Sequence, residues 1–174
     1  MNRFGAMSVG AAIWLGLMFC GGCAEPALEE AQTESSNIQE QNEKPVSEPP
    51  RFLGGDRPAS YLLPANYDPE IAMPLVILLH GFTGTAVGQD TYFGLSQVTQ
   101  ARGIMLLMPD GKVNPDGNQF WNATDFCCDF YRSGVDDVAY ISGLIDEAQS
   151  LFNIDSRKVY LVGHSNGGYM SYRM

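Results

Sequence analysis

The chain has 174 residues, 45% of them apolar, with 20 acidic side chains against 10 basic ones and a net charge of −10. That length bounds one domain with appendages, and the apolar share suits a packed core. The acidity argues against a nucleic-acid partner, because no basic patch exists to meet phosphates.

Met1-Asn2-Arg3 supplies one positive charge, and the uncharged run from Phe4 to Phe19 is apolar but too short for a comfortable membrane span. With the small residues that follow, residues 1–23 read as an export signal. The Gly21-Gly22-Cys23 ending resembles a bacterial lipobox, which makes Cys23 the candidate for lipidation and membrane anchoring, although Cys20 stands where leucine is usual. Cleavage after Ala24, at the small-x-small site Gly22-Cys23-Ala24, is the alternative. Residues 24–50 hold seven glutamates, one lysine and no aromatic residue, so they cannot bury enough apolar surface to offset the entropy of folding. They are expected to form a disordered acidic tether that holds the domain on the order of 30 Å from its anchor.

The domain is expected to occupy residues 51–174. Its first strand signal is the wholly apolar run Leu75-Val76-Ile77-Leu78-Leu79, which ends in the glycine-rich His80-Gly81-Phe82-Thr83-Gly84-Thr85. His80 belongs to that loop and reads as structural rather than catalytic. A helix follows over 90–101, then a second apolar strand, Ile104-Met105-Leu106-Leu107-Met108.

Residues 109–132 read as a long loop that walls the site and sets specificity. Trp121 is the aromatic singled out for substrate contact, with packing of the loop as its alternative; packing is the expectation for Phe120, Phe126, Phe130 and Tyr131. Asn114-Pro115-Asp116-Gly117-Asn118 lacks the acidic ladder of a calcium loop and reads as a β-turn. Cys127 and Cys128 are disulfide candidates. A bond between neighbours closes a strained ring, so at least one is expected to pair with a cysteine outside this chain. Two adjacent cysteines without spaced ligands make no metal site, and no phosphate- or dinucleotide-binding glycine pattern appears, so no cofactor is implied.

Ser133 to Phe152 then carries Val138, Ile141, Ile145, Ala148 and Phe152 at helical spacing, with Leu144 and Leu151 widening the stripe. Asp136 and Asp137 fall in its first turn, where carboxylates cap the helix and meet its positive end, rather than forming a catalytic pair.

Val159-Tyr160-Leu161-Val162 reads as a buried parallel strand, and Gly163-His164-Ser165-Asn166-Gly167-Gly168 follows at once. Gly163 and Gly167 permit close backbone approach, and Tyr169 onward begins a helix, so the segment describes a nucleophile elbow with Ser165 at its tip. A serine hydroxyl needs a general base to become a nucleophile. His80 and His164 are the chain's two histidines, and neither reads as that base. The N–H groups of Asn166, directly after the serine, and of Phe82, in the loop after the first strand, are the candidate oxyanion hole.

The run Leu161 to Arg173, taken with Leu78-Leu79-His80-Gly81, Met108-Pro109-Asp110-Gly111 and Val135-Asp136-Asp137-Val138, resembles the secreted poly(3-hydroxybutyrate) depolymerase and feruloyl esterase group of α/β-hydrolases. The resemblance runs from about Arg57 to the last residue. It implies an α/β-hydrolase fold, here its N-terminal portion, and a serine esterase acting on polyester or plant-wall esters with the triad in the order Ser, Asp, His. Ser165 alone carries over; the aspartate and histidine are expected beyond Met174. Residues 159–162 are then expected to lack a partner on one edge, leaving these 174 residues marginally stable by themselves. Two other readings remain: a serine peptidase of the prolyl-oligopeptidase kind, and a surface lipoprotein without catalysis.

Overall fold

The computed structural model describes residues 48–174. The expected export signal, Cys23 and all but the end of the expected tether lie outside the described residues.

The frame is a four-stranded sheet in the order β1-β3-β2-β6: β1 (Ser60–Leu62), β2 (Met73–Leu79), β3 (Met105–Met108) and β6 (Ile154–Gly163). β2 runs parallel to both β3 and β6, and only β1 is antiparallel, pairing Ser60 with Met108 and Leu62 with Leu106. The apolar runs form central strands because they are covered on both faces. Alternation divides them: Leu75, Ile77, Leu79, Met105 and Leu107 enter one cluster, while Leu78, Leu106 and Met108 enter the other. Each Leu or Ile so buried is worth roughly 1.5–3 kcal/mol.

Helices cover both faces. α1 (Ala86–Phe93) and α2 (Leu95–Ala101) place Ala86 and Leu95 on the second cluster, whereas α3 (Asp137–Leu151) and α4 (Asn166–Arg173) place Ile141, Leu144, Ala148 and Met170 on the first. The fold is therefore α/β, with a mostly parallel sheet between two helical layers.

Several elements differ from the sequence expectation. The single helix over 90–101 is two helices, because Gly94 adopts φ 65° and ends the first of them. That first helix also starts earlier, where the Thr85 side chain accepts from the Gly88 N–H. α3 begins at Asp137 rather than Ser133, since Asp136 is its N-cap and accepts from the Ala139 N–H at 2.9 Å. Leu151, placed in its apolar stripe, is 41% exposed.

The 109–132 loop contains a hairpin, β4 (Lys112–Val113) with β5 (Gln119–Phe120), closed by the expected turn. The Asn114 carboxamide accepts from the N–H groups of Asp116 and Asn118. Cys127 and Cys128 stand side by side in this loop, with Cys128 buried. β6 is parallel as expected, but longer and less buried than expected. It lies at the end of the sheet with β2 as its partner among the described residues, and Tyr160 is half exposed.

The topology selects a location for chemistry. The chain leaves β2 for β3 on one side, then returns across β2 to β6 on the other, so direction reverses at the carboxyl ends of β2 and β6. Open α/β sheets bind ligands at such a switch point.

Candidate active site

The register of β2 and β6 pairs Leu79 with Gly163, so both strands end at the same level and their following loops meet. The His164 N–H donates to the Leu79 carbonyl at 3.3 Å, and a Cβ on Gly81 would stand 3.5 Å from the Ser165 Cβ. Side chains are excluded at the two elbow glycines. A Cβ on Gly167 would collide with the Leu79 carbonyl, and one on Gly163 with the Gly167 carbonyl.

Ser165 is exposed, at φ 51° and ψ −115°, a conformation that costs a non-glycine residue energy. It is the N-cap of α4, yet its hydroxyl makes no capping bond. The side chain is thus held out at the strand-to-helix turn, at the positive end of a helix.

The loop after β2 is pinned at nearly every polar group. The Gly81 N–H donates to Gln89 Oε1 at 3.2 Å, Thr83 N–H to the Gln119 carbonyl at 2.9 Å, and Gly84 N–H to the Gly81 carbonyl at 2.9 Å. From Gly81 to Gly84, Phe82 alone has an N–H with no acceptor among the described residues. The Asn166 N–H, in the first turn of α4, likewise has none. Gln89 Nε2 is also buried without a partner there.

His80 is wholly buried and both its ring nitrogens are engaged. Nδ1 lies 2.7 Å from the Gly81 carbonyl and so carries the proton, while Nε2 accepts from the Gly111 N–H at 2.8 Å. Burial lowers its pKa from the ordinary 6.5, keeping the ring neutral beside Asp110. It ties the loop after β2 to the one after β3. His164 is exposed, with Tyr92 edge-on at 5.8 Å.

Trp121 has no exposed surface, which places no part of it against a substrate. Its burial in the main cluster follows from hydrogen bonds that fix all its polar atoms. The indole N–H donates to the His80 carbonyl at 3.0 Å, and its backbone N–H and C=O are both held by the Asn166 carboxamide, at 2.7 and 2.9 Å. Phe130, expected to pack, is 62% exposed and sits edge-on to Phe82 at 5.4 Å.

Behind Trp121 lies a buried charge pair that sequence reading missed. The Asp136 cap forms as expected, but Asp137 is buried, accepting from Arg57 Nη1 at 2.6 Å and from the Asn122 N–H at 2.7 Å. Arg57 also donates twice to the Asp110 carbonyl and stacks on the rings of Tyr140 and Trp121. Burial pushes the Tyr140 hydroxyl up to about 12, and it donates to the Arg57 carbonyl. These partners are far apart in sequence, and no local pattern announces them.

A profile of the Esterase family, described as "Putative esterase", matches residues 51–172. The chain belongs to the Esterase family. Among its curated relatives are the bifunctional acetylxylan esterase/xylanase of Neocallimastix patriciarum, 26% identical over 129 residues, and feruloyl esterase B of Piromyces equi, 30% identical over 108 residues. Those matches cover 74% and 62% of this chain but 17% and 19% of the relatives' own lengths. Among solved structures, acetyl xylan esterase from Aspergillus awamori superposes with a TM-score of 0.50 at 19% identity, over 73% of this chain and 45% of that one. The common fold is that of the α/β-hydrolases, and the parallel sheet, the switch point and the serine turn described above belong to it.

Proposed function

We propose that this chain carries the nucleophile portion of an exported serine hydrolase that cleaves carboxylic esters, of feruloyl, acetyl or polyhydroxybutyrate type, through an acyl-enzyme on Ser165. The observation that supports this most is the exposed Ser165 at positive φ beside two N–H groups, of Phe82 and Asn166, without acceptors among the described residues.

On this reading Ser165 Oγ attacks the ester carbonyl carbon while its proton passes to a general base. The carbonyl oxygen becomes an oxyanion that accepts from the Phe82 and Asn166 N–H groups. Collapse breaks the bond to the alcohol oxygen, which leaves with the proton from the base; water then repeats the sequence and frees the acid. His80 is not the base, since both its nitrogens are occupied within the fold. We assign the base and its carboxylate to residues outside this chain, in the order Ser, Asp, His that the family resemblance implies. Export and a lipid on Cys23 rest on the N-terminal sequence.

Fluorophosphonate labelling of the full-length protein tests the mechanism. Labelling and hydrolysis of p-nitrophenyl acetate are expected in the wild type and lost in Ser165→Ala, with no cleavage of peptide anilides. Labelling that persists in the variant rejects Ser165 as nucleophile. Palmitate incorporation abolished by Cys23→Ser tests the anchor; incorporation unchanged by that substitution rejects it.

A further inference from the structure

We infer that Gln89, on helix α1, is a positioning residue for the oxyanion hole of this esterase. Its carboxamide holds the Gly81 N–H and so restrains the glycine that presents the Phe82 N–H, one of the two proposed donors. The inference rests on the assignment of Ser165 as nucleophile and of that N–H as donor, and adds to it the side chain that keeps the donor in place.

Gly81 is where the loop after β2 touches the nucleophile turn. A Cβ there would stand 3.1 Å from His164 Nδ1 and 3.5 Å from the Ser165 Cβ, so the contact is made by bare backbone. Close approach calls for glycine, and glycine brings backbone freedom that other residues lack. Any rotation about Gly81 would swing the donor, because the Phe82 N–H shares a rigid planar peptide unit with the Gly81 carbonyl. That freedom is removed by hydrogen bonds at the neighbouring polar atoms. The His80 carbonyl accepts from the Trp121 indole N–H at 3.0 Å, and the Gly81 N–H donates to Gln89 Oε1 at 3.2 Å. The Gly81 carbonyl accepts from His80 Nδ1 at 2.7 Å and from the Gly84 N–H at 2.9 Å. Among the described residues, two successive peptide units are thus held at every polar atom except the Phe82 N–H.

Gln89 is the partner in this set that packing alone does not explain. It is 7% exposed, and its Nε2 is buried with no acceptor among the described residues. An apolar side chain of the same length would fill the space without burying that donor, so the carboxamide is accounted for by its bond to the Gly81 N–H. Helix α1 gives it a rigid mount. Thr85 Oγ1 accepts from the Gly88 N–H at 3.0 Å, Asp110 Oδ1 from the Ala86 N–H at 2.7 Å, and the Thr85 carbonyl from the Gln89 N–H at 2.9 Å. A donor fixed before negative charge develops on the ester oxygen stabilises that charge without reorganisation. The benefit falls on the transition state rather than on the bound ester, so it is read in kcat and not in KM.

The test compares Gln89→Met and Gln89→Asn with wild type, all as full-length protein, on p-nitrophenyl acetate. Methionine keeps the length and loses the acceptor, whereas asparagine keeps the amide but falls one methylene short of Gly81. Gln100→Met is the control, because Gln100 Nε2 donates to the Leu63 carbonyl at 2.7 Å from α2 and its loss removes a similar bond elsewhere. Removing an oxyanion donor outright lowers kcat on the order of a hundredfold or more, and a loosened donor less. Both Gln89 variants are expected to lower kcat about tenfold with KM within about twofold, on that scale. Inhibition by trifluoroacetophenone, whose adduct with a serine carries the oxyanion, should weaken by about the same factor, and Gln100→Met should change neither. If Gln89→Met does not accumulate as folded protein, Gln89→Asn carries the comparison. Unchanged kcat and inhibition, a loss confined to KM, or an equal fall in Gln100→Met overturns the inference. A wild type that hydrolyses no ester overturns the nucleophile assignment and this inference with it, whereas an active wild type matched by the Gln89 variants overturns this inference alone.

Discussion

The carboxamide of Asn166 closes both backbone hydrogen bonds of Trp121, accepting from its N–H at 2.7 Å and donating to its carbonyl at 2.9 Å. This clasp fixes the residue after Ser165 against the loop that follows β5, with neither side chain open to solvent. Asn166→Ala would leave the buried Trp121 N–H unpaired, at a cost of about 1–3 kcal/mol, while the Trp121 carbonyl keeps the Ala123 N–H as a donor at 2.9 Å. The expected loss is about 1–3 kcal/mol in urea unfolding. A loss below about 0.5 kcal/mol would mean that water or a rearranged backbone replaces the clasp.

The glycines of the elbow are expected to separate cleanly. Gly167→Ala drives a methyl into the Leu79 and His80 carbonyls, and Gly163→Ala drives one into the turn itself, so both variants should fail to accumulate as soluble folded protein. At Gly168 the nearest atom to an added Cβ is the Gly163 carbonyl oxygen at 3.4 Å, an ordinary contact. Gly168→Ala should therefore fold, and a helical alanine adds up to about 1 kcal/mol. Thermal unfolding of the three variants checks the contrast, and a soluble, stable Gly167→Ala would contradict the strand–elbow packing.

Arg57 and Asp137 should prove unequal to their conservative replacements. Arg57→Lys keeps the charge but loses the fork that serves Asp137 and the Asp110 carbonyl together, along with stacking on Tyr140. Arg57→Ala leaves the Asp137 carboxylate buried and uncompensated, a change worth about 3–5 kcal/mol. Chemical denaturation should rank wild type above lysine and lysine above alanine; a lysine variant as stable as wild type would show that charge alone matters.

His80 sets a direction for pH dependence. Its folded pKa lies below the unfolded value near 6.5, so the unfolded chain takes up a proton first as pH falls. The stability it contributes is complete above that unfolded value and declines as pH drops from there toward the folded pKa. The cause is burial, which disfavours the charged ring, and protonation would also turn Nε2 into a donor facing the Gly111 N–H. Urea midpoints at pH 7.5 and 5.5 should fall more in wild type than in His80→Gln; an identical fall in both would assign the acid sensitivity to other groups.

Much of the site was legible locally. Glycines at 163 and 167 around a serine, after an apolar run, specify a tight strand-to-helix turn because only residues without a Cβ fit there. An apolar run ending in a glycine-rich segment likewise marked the loop at 81–84 that follows β2. Aromatic identity, by contrast, says nothing about which ring turns inward. Trp121 reads from the sequence as either substrate contact or packing, and Phe130 as packing, yet the structure buries the first and exposes the second.

The sequence by itself determined the apolar strands around 75–79 and 104–108, the helix expected over 133–152 though not its start, the turn at Ser165 and the family resemblance, because each is encoded by neighbours within a few residues. Only the tertiary structure decided that Leu79 stands level with Gly163, that Asp137 meets Arg57, that Asn166 clasps Trp121 and that Phe130 lies on Phe82. Those contacts join residues 45 or more apart in the chain, and in three dimensions they depend on strand order and helix placement rather than on any local propensity.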